Sequence, residues 1–306
     1  MIGRRIRRRR EHEAFGTPGL ISWTDWLRPE VKWTVGSAHA LLLLLLAVIG
    51  LGPLLWLAKS ALSPTVDTLT NPMALFPHGV VWTNLREAWS TVHVGLYFWN
   101  TIVLAIGSWF SQIVVATTGG YVLSVLRPKY ARVITGLLLA TLFVPAVVLI
   151  VPLYIAIVHP PLIHHSFIDS YWAVWLPAGA SAFNVILIKR FFDNLPRELF
   201  EAARIDGAGP FRLFLLIVLP LSKPILGVVS IFAILASWRD FLWPFLVLTN
   251  PDNQPLSVRL PSIQAQTQLG VFLAALFIAS LVPIVGFLIF QRSFLRGTGL
   301  GGALKG

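Results

Sequence analysis

Residues 193–224 read DNLPRELFEAARIDGAGPFRLFLLIVLPLSKP, a charged interruption between long apolar runs. Pro196 suits the first turn of a helix, where its missing N–H costs nothing. Glu198 and Glu201 follow in the N-terminal half, where carboxylates favour the helix dipole. Gly207 is placed to end the helix. The pattern predicts a short, well-bounded helix that is not itself a membrane span.

The residues after this helix predict a rigid connection to the next apolar run. Phe211–Leu219 reads as an apolar helix, and Pro220 and Pro224 bracket an elbow behind it. Ala202 and Ala203 leave a shallow surface on the short helix, against which another body could pack closely. The competing interpretation is an amphipathic helix at the membrane interface, with Leu199, Phe200 and Ala203 as its apolar face. Periodicity alone leaves both interpretations open.

Composition predicts the fold class. Of 306 residues, 56% are hydrophobic and 12% are charged, and the mean hydropathy is +0.75. An ordinary soluble domain carries about twice that charge. Several apolar runs reach about 20 residues, the length of a membrane-crossing helix rather than of a barrel strand. The sequence therefore predicts an all-α polytopic membrane protein.

The apolar runs and the charges predict a topology. With the spans drawn below, 20 of the 24 lysines and arginines lie on one side, 3 on the other, and Arg239 within a span. The positive-inside rule then places both termini in the cytoplasm and explains the net charge of +11 without a nucleic acid partner. The arginine run at 4–10 favours contact with anionic lipid headgroups over an export signal. The six predicted spans are residues 35–57, 97–123, 133–158, 171–188, 225–248 and 269–290.

The same boundaries divide the chain into segments. Residues 1–34 form a basic cytoplasmic tail, and residues 35–96 contain the first span and an external loop. Residues 97–290 form a core of five spans that carries the cytoplasmic loop 193–224. Residues 291–306 form a cytoplasmic C-terminal tail.

Several chemistries are disfavoured by the residues that the chain lacks. It has no cysteine, so disulfides and thiolate metal sites are excluded. No G-x-x-x-x-G-K-[ST] pattern occurs, so a driving nucleotide would bind on another chain. His159, His164 and His165 share an external loop, but only Asp169 lies nearby as a further ligand, which disfavours zinc. We predict no catalytic residue and no metal site.

The loop resembles a known family signature. It is similar to the conserved loop of permease subunits of bacterial ATP-binding-cassette importers, at Glu201-Ala202-Ala203, Gly207, Ile217 and Leu219-Pro220. The flanking residues and the C-terminal tail resemble the carbohydrate-uptake subgroup of the maltose, multiple-sugar and glycerol-phosphate type. The resemblance runs from about Leu57 to the end of the chain.

This resemblance implies a type I importer permease core in a bacterial plasma membrane. The implied partners are a second homologous permease, two ATPase subunits that bind ATP and Mg²⁺, an external solute-binding protein and a sugar. No cofactor is implied on this chain. The implied ATPase-coupling residues are Glu198, Glu201, Ala202, Ala203, Asp206, Gly207 and Ala208. The implied contacts of the C-terminal tail with the ATPases are Gly299, Gly302 and Lys305.

The fifth predicted span departs from the family pattern. The family usually has Asn after the tryptophan of Trp-Asn-(Asp/Glu)-Phe, and this chain has Arg239. An ionisable residue within a span is costly and is a functional candidate. We predict that Arg239 or Asp240 faces the translocation pathway, with Trp238 and Trp243 as further candidates and Trp238 stacking on a sugar ring. The competing interpretation is that Arg239 points outward or pairs with the partner permease.

Two other functions compete with an importer permease. An ion-coupled secondary transporter would show intramembrane carboxylates or broken helices in two related halves. Here Asp240 is the only acid well inside a predicted span, and no symmetry between halves is evident. A membrane enzyme would need His and carboxylate residues at one membrane depth, and no such cluster appears. The sequence favours the permease.

Overall fold

The computed structural model describes residues 29–161 and 164–298, and every regular element in these residues is helical. The chain divides into two compact units, up to Leu57 and from Ala58 onward. Helix α1 (Pro29–Ala61) contains the first predicted span. At 1.5 Å per residue, its 33 residues exceed the thickness of a hydrocarbon core.

The predicted external loop after α1 is partly helical. It contains α2 (Thr65–Thr70) and α3 (Thr83–Ser90). The side-chain amide of Asn84 donates to the carbonyls of Ala61 and Ser63 at 3.1 and 3.0 Å. This segment belongs to the same compact unit as the helices that follow.

Helix α4 (Val94–Tyr121) lies at the centre of the second unit and contains most of the second predicted span. It continues as a π-helical turn over Val122–Leu126. Three helices pack along it: α7 (Trp172–Gly179), α8 (Ala182–Asp193) and α12 (Lys223–Arg239). These four helices build the frame that positions the candidate sites.

The third predicted span is broken rather than merely kinked. Helix α5 (Ala131–Thr141) ends before Pro145, and a 3-10 turn (Ala146–Leu149) leads into α6 (Ile150–Val158). The two parts meet at 105°. Pro145 adopts an extended ψ of 131°, and its ring also disfavours helical geometry in the residue before it. The proline therefore breaks the helix that hydropathy alone makes continuous.

The fourth predicted span is bent by 43° between α7 and α8. Pro177 lies in the last turn of α7. Ser181 then starts α8 as its N-cap residue and accepts a hydrogen bond from the Asn184 N–H. Helix α8 runs to Asp193, five residues beyond the predicted end at Ile188.

The elbow predicted between Pro220 and Pro224 is confirmed. The helical segment before it meets α12 at 78°, and the bend lies at the fully buried Ser222. The Ser222 hydroxyl donates to the Val218 carbonyl at 2.6 Å. The elements from the charged loop to the bend are α9 (Arg197–Ile205), α10 (Pro210–Leu213), a π-helical turn (Phe214–Val218) and α11 (Leu219–Leu221).

The prediction of one helix through residues 225–248 is wrong. Helix α12 ends at Arg239, and Asp240 has the extended ψ of 120°. A continued helix would bring the ring of Pro244 against the carbonyl of Asp240, four residues earlier. That carbonyl instead accepts a hydrogen bond from the Ser257 hydroxyl at 2.7 Å. The chain resumes as the short helix α13 (Leu242–Val247).

The last elements cover the sixth predicted span. They are a 3-10 turn (Pro251–Asn253), α14 (Leu256–Ile263), a second 3-10 turn (Gln264–Gln266) and α15 (Leu269–Thr298). In the described residues, two helices are long and apolar enough to cross a membrane, and up to five segments if each of the three bent pairs is one span. Six spans and cytoplasmic termini stay predictions.

Close packing between α4 and α7 depends on Gly107. A Cβ at this position would lie 2.1 Å from the Trp175 ring. That ring is itself held edge-on against Trp172, with 5.2 Å between ring centroids. The absence of a side chain at Gly107 therefore lets the two helices approach, as small residues do in membrane proteins.

We expect Gly107→Ala to lower the thermal unfolding temperature of the detergent-purified protein, because overpacking of this kind costs about 1–3 kcal/mol. Gly136→Ala in α5 is the matched control, since a Cβ there meets nothing within 4 Å. The control gains about 1 kcal/mol of helix propensity, and no steric clash opposes this gain. Tryptophan fluorescence would follow both transitions. An equal or higher unfolding temperature for Gly107→Ala than for the control would contradict the packing.

Asp169 joins two loops at the predicted external end. It has a left-handed φ of 60°. Its carboxylate accepts hydrogen bonds from the Thr249 N–H, the Thr249 hydroxyl and the Asn250 N–H. Partial burial raises the pKa of this carboxyl, but the three hydrogen bonds outweigh it and hold the pKa below its ordinary 3.8. The clamp fixes the start of α7 against the end of α13.

We expect Asp169→Ala to destabilise the fold by about 0.5–1.5 kcal/mol, because it removes the acceptor of the clamp while its exposed donors, on Thr249 and Asn250, regain hydrogen bonds to water. Asp169→Asn should cost less, since asparagine tolerates the left-handed conformation and retains one acceptor oxygen. A carboxyl with a lowered native pKa contributes full stability above its unfolded pKa and loses it as pH falls through the native pKa. The difference between wild type and Asp169→Asn should therefore be constant above about pH 4 and shrink below it. Chemical unfolding at several pH values measures this, and a difference that grows on acidification would refute the clamp.

Candidate functional site

Helix α9 is bounded as the sequence predicts. Pro196 stands one residue before its first turn, as the N-cap. At the other end Gly207 has a φ of +80°. The Gly207 N–H donates to the Arg204 carbonyl at 3.1 Å, and the Ala208 N–H donates to the Ala203 carbonyl at 2.9 Å. This pair of bonds is the Schellman motif, which needs a residue that tolerates positive φ.

One face of α9 is buried against the spans. Phe200 and Ala203 are 8% and 7% exposed. They belong to a cluster that includes Ile188 and Phe192 of α8 and Leu213 of α10. The prediction that Ala203 contributes to an open surface is therefore wrong. The protein itself covers Phe200 and Ala203, whereas Leu199, the third residue of the predicted apolar face, is 41% exposed. The membrane-interface interpretation therefore keeps only Leu199 of its three residues.

The opposite face of α9 is open. Glu198, Glu201, Ala202 and Asp206 are exposed. None of the three carboxylates forms an ion pair with the residues that the structure describes. Ala202 is the small residue on this face, so a partner could approach the helix closely there. Ile205, four residues after Glu201, is also 86% exposed. The open surface therefore combines unpaired carboxylates with apolar area, which is suited to docking.

The segment after α9 is tied to the end of α4. The Tyr121 hydroxyl donates to the Pro210 carbonyl at 2.8 Å. The Tyr121 ring packs against Phe214, with 5.0 Å between ring centroids. Tyr121 thus connects the central helix directly to the turn that follows α9.

The segment before α9 is connected to the end of α4 through hydrogen bonds and ion pairs of Asp193. Asp193, at the end of α8, accepts hydrogen bonds from the Ser124 hydroxyl at 2.7 Å and from Lys189 Nζ at 2.7 Å. Arg127 Nη2 lies 3.3 Å from the same carboxylate. Exposed ion pairs of this kind contribute little individually, but here they converge on one residue. Both flanks of α9 are therefore anchored where α4 ends.

A second candidate region is a cavity of about 600 Å³ between α4, α7 and the end of α12. This size falls within the range of ligand pockets in proteins. It brings together three of the four predicted pathway residues. The lining residues are Ser108, Gln112, Leu153, Val174, Pro177, Ala178, Ala236, Ser237, Arg239, Asp240 and Trp243.

The fourth predicted pathway residue lies elsewhere. Trp238 does not line the cavity and packs edge-on against Phe98, with 6.4 Å between ring centroids. That Trp238 stacks on a sugar ring stays a prediction, but this cavity is not the place for it. Trp243 takes the lining position instead, held by a hydrogen bond from its Nε1 to the Ala173 carbonyl at 2.9 Å.

Sequence reasoning missed the polar groups on the α4 side of the cavity. Ser108 and Gln112 are 1% and 8% exposed. Asn184 of α8 donates from its amide to Gln112 Oε1 at 2.7 Å. The available signal was the occurrence of polar residues inside otherwise apolar spans, which is uncommon and functional by default.

The predicted absence of a metal site can be compared with the described residues alone. Within residues 29–161 and 164–298, no group of three or more histidines and carboxylates is close enough to hold a metal ion. The predicted tail contacts Gly299, Gly302 and Lys305 lie outside the described residues.

Comparison with known families matches residues 116–298 to the binding-protein-dependent transport system inner membrane component. The matched segment contains α9, both of its anchored flanks and most of the cavity lining.

Individual relatives extend the match. The sn-glycerol-3-phosphate transport system permease protein UgpE of Pectobacterium atrosepticum is 33% identical over 74% of this chain and 82% of its own length. The diacetylchitobiose uptake system permease protein NgcG of Streptomyces coelicolor is 31% identical over 85% and 84%. A chain of a bacterial ABC transporter involved in the import of the acidic polysaccharide alginate has the same fold, with a TM-score of 0.75, 19% identity, and coverage of 91% of this chain and all of that one.

We expect Gly207→Ala to weaken the binding of partner chains to α9. An L-residue at this φ costs about 1–2 kcal/mol and loosens the helix end. Gly207→Asn should be milder, since asparagine tolerates this conformation. Gly209→Ala is the matched control, with a φ of −69° and no neighbour within 4 Å of the added Cβ. Co-purification of partner chains with the three variants measures the effect. Equal recovery with Gly207→Ala and Gly209→Ala would argue against a role for the helix end.

Proposed function

This chain belongs to the family of binding-protein-dependent transport system inner membrane components, and we propose that it serves as a permease subunit of an ATP-driven sugar importer. The observation that carries the proposal is α9, in which Phe200 and Ala203 are buried against the spans while Glu198, Glu201 and Asp206 stay exposed. Such a helix can receive a push from a cytoplasmic partner and pass it to the membrane-spanning part. The family description also supports a place in a bacterial inner membrane.

The substrate class rests on the relatives. Two of them are named for uptake of sn-glycerol-3-phosphate and diacetylchitobiose, and a chain with the same fold comes from an importer of alginate. Each of these solutes is a carbohydrate or a small polyol derivative. We therefore propose a sugar, of di- or oligosaccharide size, as the solute of this importer.

The proposed mechanism is alternating access. Two separate ATPase subunits bind ATP with Mg²⁺, close on each other and draw in the α9 helices of this chain and of a second permease. The contacts of Phe200 with α8 and of Tyr121 with the turn after α9 pass this movement to α8 and α4. The cavity then opens outward to receive solute from an external binding protein.

This chain performs no covalent chemistry in the proposed cycle. ATP hydrolysis takes place on the ATPase subunits, and Glu198, Glu201, Ala202, Asp206, Gly207 and Ala208 act as docking or helix-ending residues. Gly299, Gly302 and Lys305 stay predicted contacts of the tail with the ATPases. Broken helices and Asp240 on a cavity wall would also suit ion-coupled transport, but the family match favours the importer permease.

We expect Glu201→Lys to reduce recovery of the ATPase subunits and ATP-driven uptake at least about tenfold, because it reverses a charge in the middle of the docking face. Glu87→Lys is the matched control, since Glu87 is equally exposed but lies in α3 of the predicted external segment. Affinity purification of the complex, followed by uptake in proteoliposomes, provides both readouts. Normal recovery and uptake with Glu201→Lys would remove α9 from the mechanism.

A further inference from the structure

The cavity beside α12 combines features of a built binding site. The Ser108 hydroxyl is buried and has no hydrogen-bond partner among the described residues. Buried polar groups are nearly always hydrogen-bonded, so an unpartnered hydroxyl on a cavity wall indicates a partner that the chain does not supply.

A second group on the same wall is available. The Asn184 amide donates a hydrogen bond to Gln112 Oε1. The Nε2 of Gln112 is then a donor with no partner in the described residues. The contact with Asn184 also fixes the orientation of the Gln112 amide. The α4 wall therefore offers a hydroxyl and an oriented amide donor, one helical turn apart.

The cavity lining also carries two charged side chains, at the end of α12, that do not neutralise each other. Arg239 and Asp240 are adjacent and both line the cavity, yet they form no ion pair within 4.0 Å. The end of α12 between them separates their directions. The Arg239 Nε–H makes only a long contact of 3.4 Å with the Leu235 carbonyl, so most of its guanidinium is free to donate.

These groups specify the chemistry of a ligand. Arginine can only donate hydrogen bonds and an ionised carboxylate can only accept them, whereas each hydroxyl group of a sugar does both. A hydroxyl-rich ligand therefore satisfies Arg239 and Asp240 together. An anionic ligand would satisfy Arg239 but would bring its charge beside the carboxylate of Asp240, which is unfavourable in a site of low dielectric.

The rest of the lining fits the same ligand. Leu153, Val174, Pro177 and Trp243 add apolar surface to the same lining. Ligand pockets typically combine such surface with a few placed polar groups. A sugar ring has apolar C–H faces and a rim of hydroxyl groups, which matches this arrangement.

We propose that this subunit carries its own subsite for an uncharged, hydroxyl-rich saccharide, held by Ser108 and Gln112 of α4 and by Arg239 and Asp240 at the end of α12. The subsite rests on the proposed function and narrows it, since it selects uncharged sugars over sugar phosphates and sugar acids. Arg239, in place of the Asn usual in the family, then acts as a hydrogen-bond donor to sugar hydroxyls and not as a receptor for an anion.

The absence of cysteine from the chain permits a direct test. Ser237→Cys places one thiol on the cavity lining, and Ser90→Cys places one on the exposed external segment as a control. The assembled complex is treated with a fluorescent methanethiosulfonate reagent, and labelling of this subunit is followed on a gel. The solutes added are cellobiose, maltose, N,N′-diacetylchitobiose, sn-glycerol-3-phosphate and a uronic acid disaccharide.

We expect at least one uncharged disaccharide to slow labelling of Ser237→Cys by about fivefold or more at several times its Kd, with no effect on Ser90→Cys. Arg239→Gln or Asp240→Asn in the Ser237→Cys background should weaken that protection by about tenfold to a hundredfold in sugar concentration, the worth of a hydrogen bond to a charged group. Arg86→Gln, which alters an exposed arginine of the external segment, should leave it unchanged.

The outcomes separate the subsite from the proposed function. Protection by sn-glycerol-3-phosphate or the uronic acid disaccharide alone would overturn the proposed selectivity. Uptake of a sugar by the complex without any protection of Ser237→Cys would overturn the subsite and leave the importer intact. No ATP-driven uptake of any solute in the panel would overturn the proposed function and the subsite together.

Discussion

Burial of Phe200 and Ala203 against α8 and α10 is the contact on which the account depends. It determines which face of α9 is available, because the same residues would otherwise lie on the membrane surface. The Schellman end at Gly207 turns the chain back immediately after this contact. The helix is therefore packed directly on α8. In the proposed mechanism, a force on its open face passes to the spans through this contact.

The second constraint is the set of polar groups among apolar helices. Each of Ser108, Gln112 and Arg239 costs free energy in a membrane protein unless it is paired or faces a water-filled cavity. All three line one cavity, and the end of α12 at Arg239 forms part of its lining. Docking helix and cavity are connected through α4, which carries Ser108 and Gln112 along its length and Tyr121 at its end. In the proposed mechanism, α4 is the element through which movement at one site reaches the other.

The sequence predicted the helical class, the bounds of α9 and the elbow between Pro220 and Pro224, because these follow from hydropathy and from the local geometry of proline and glycine. It did not predict where the apolar runs break. Pro244 prevents α12 from continuing, because in a helix its ring would clash with the Asp240 carbonyl. Hydropathy does not report such a clash. The sequence also did not predict that Ala203 is buried or that Trp238 lies outside the cavity lining. The rotation of a helix about its axis is set by tertiary packing. Ser108, Gln112 and Asn184 are polar residues within apolar runs, and Asn184 is far from the other two in the sequence. Only the folded structure shows that they lie together.

The most direct test of the account is photo-crosslinking from the open face of α9. The chain contains no cysteine, so Ala202→Cys can be labelled with a benzophenone maleimide in the assembled complex, with Ser90→Cys as the control. The account predicts that light links Ala202→Cys to an ATPase subunit, and that the link is absent from the control. An intact complex that hydrolyses ATP, but in which the probe at Ala202 reaches only lipid, would contradict it.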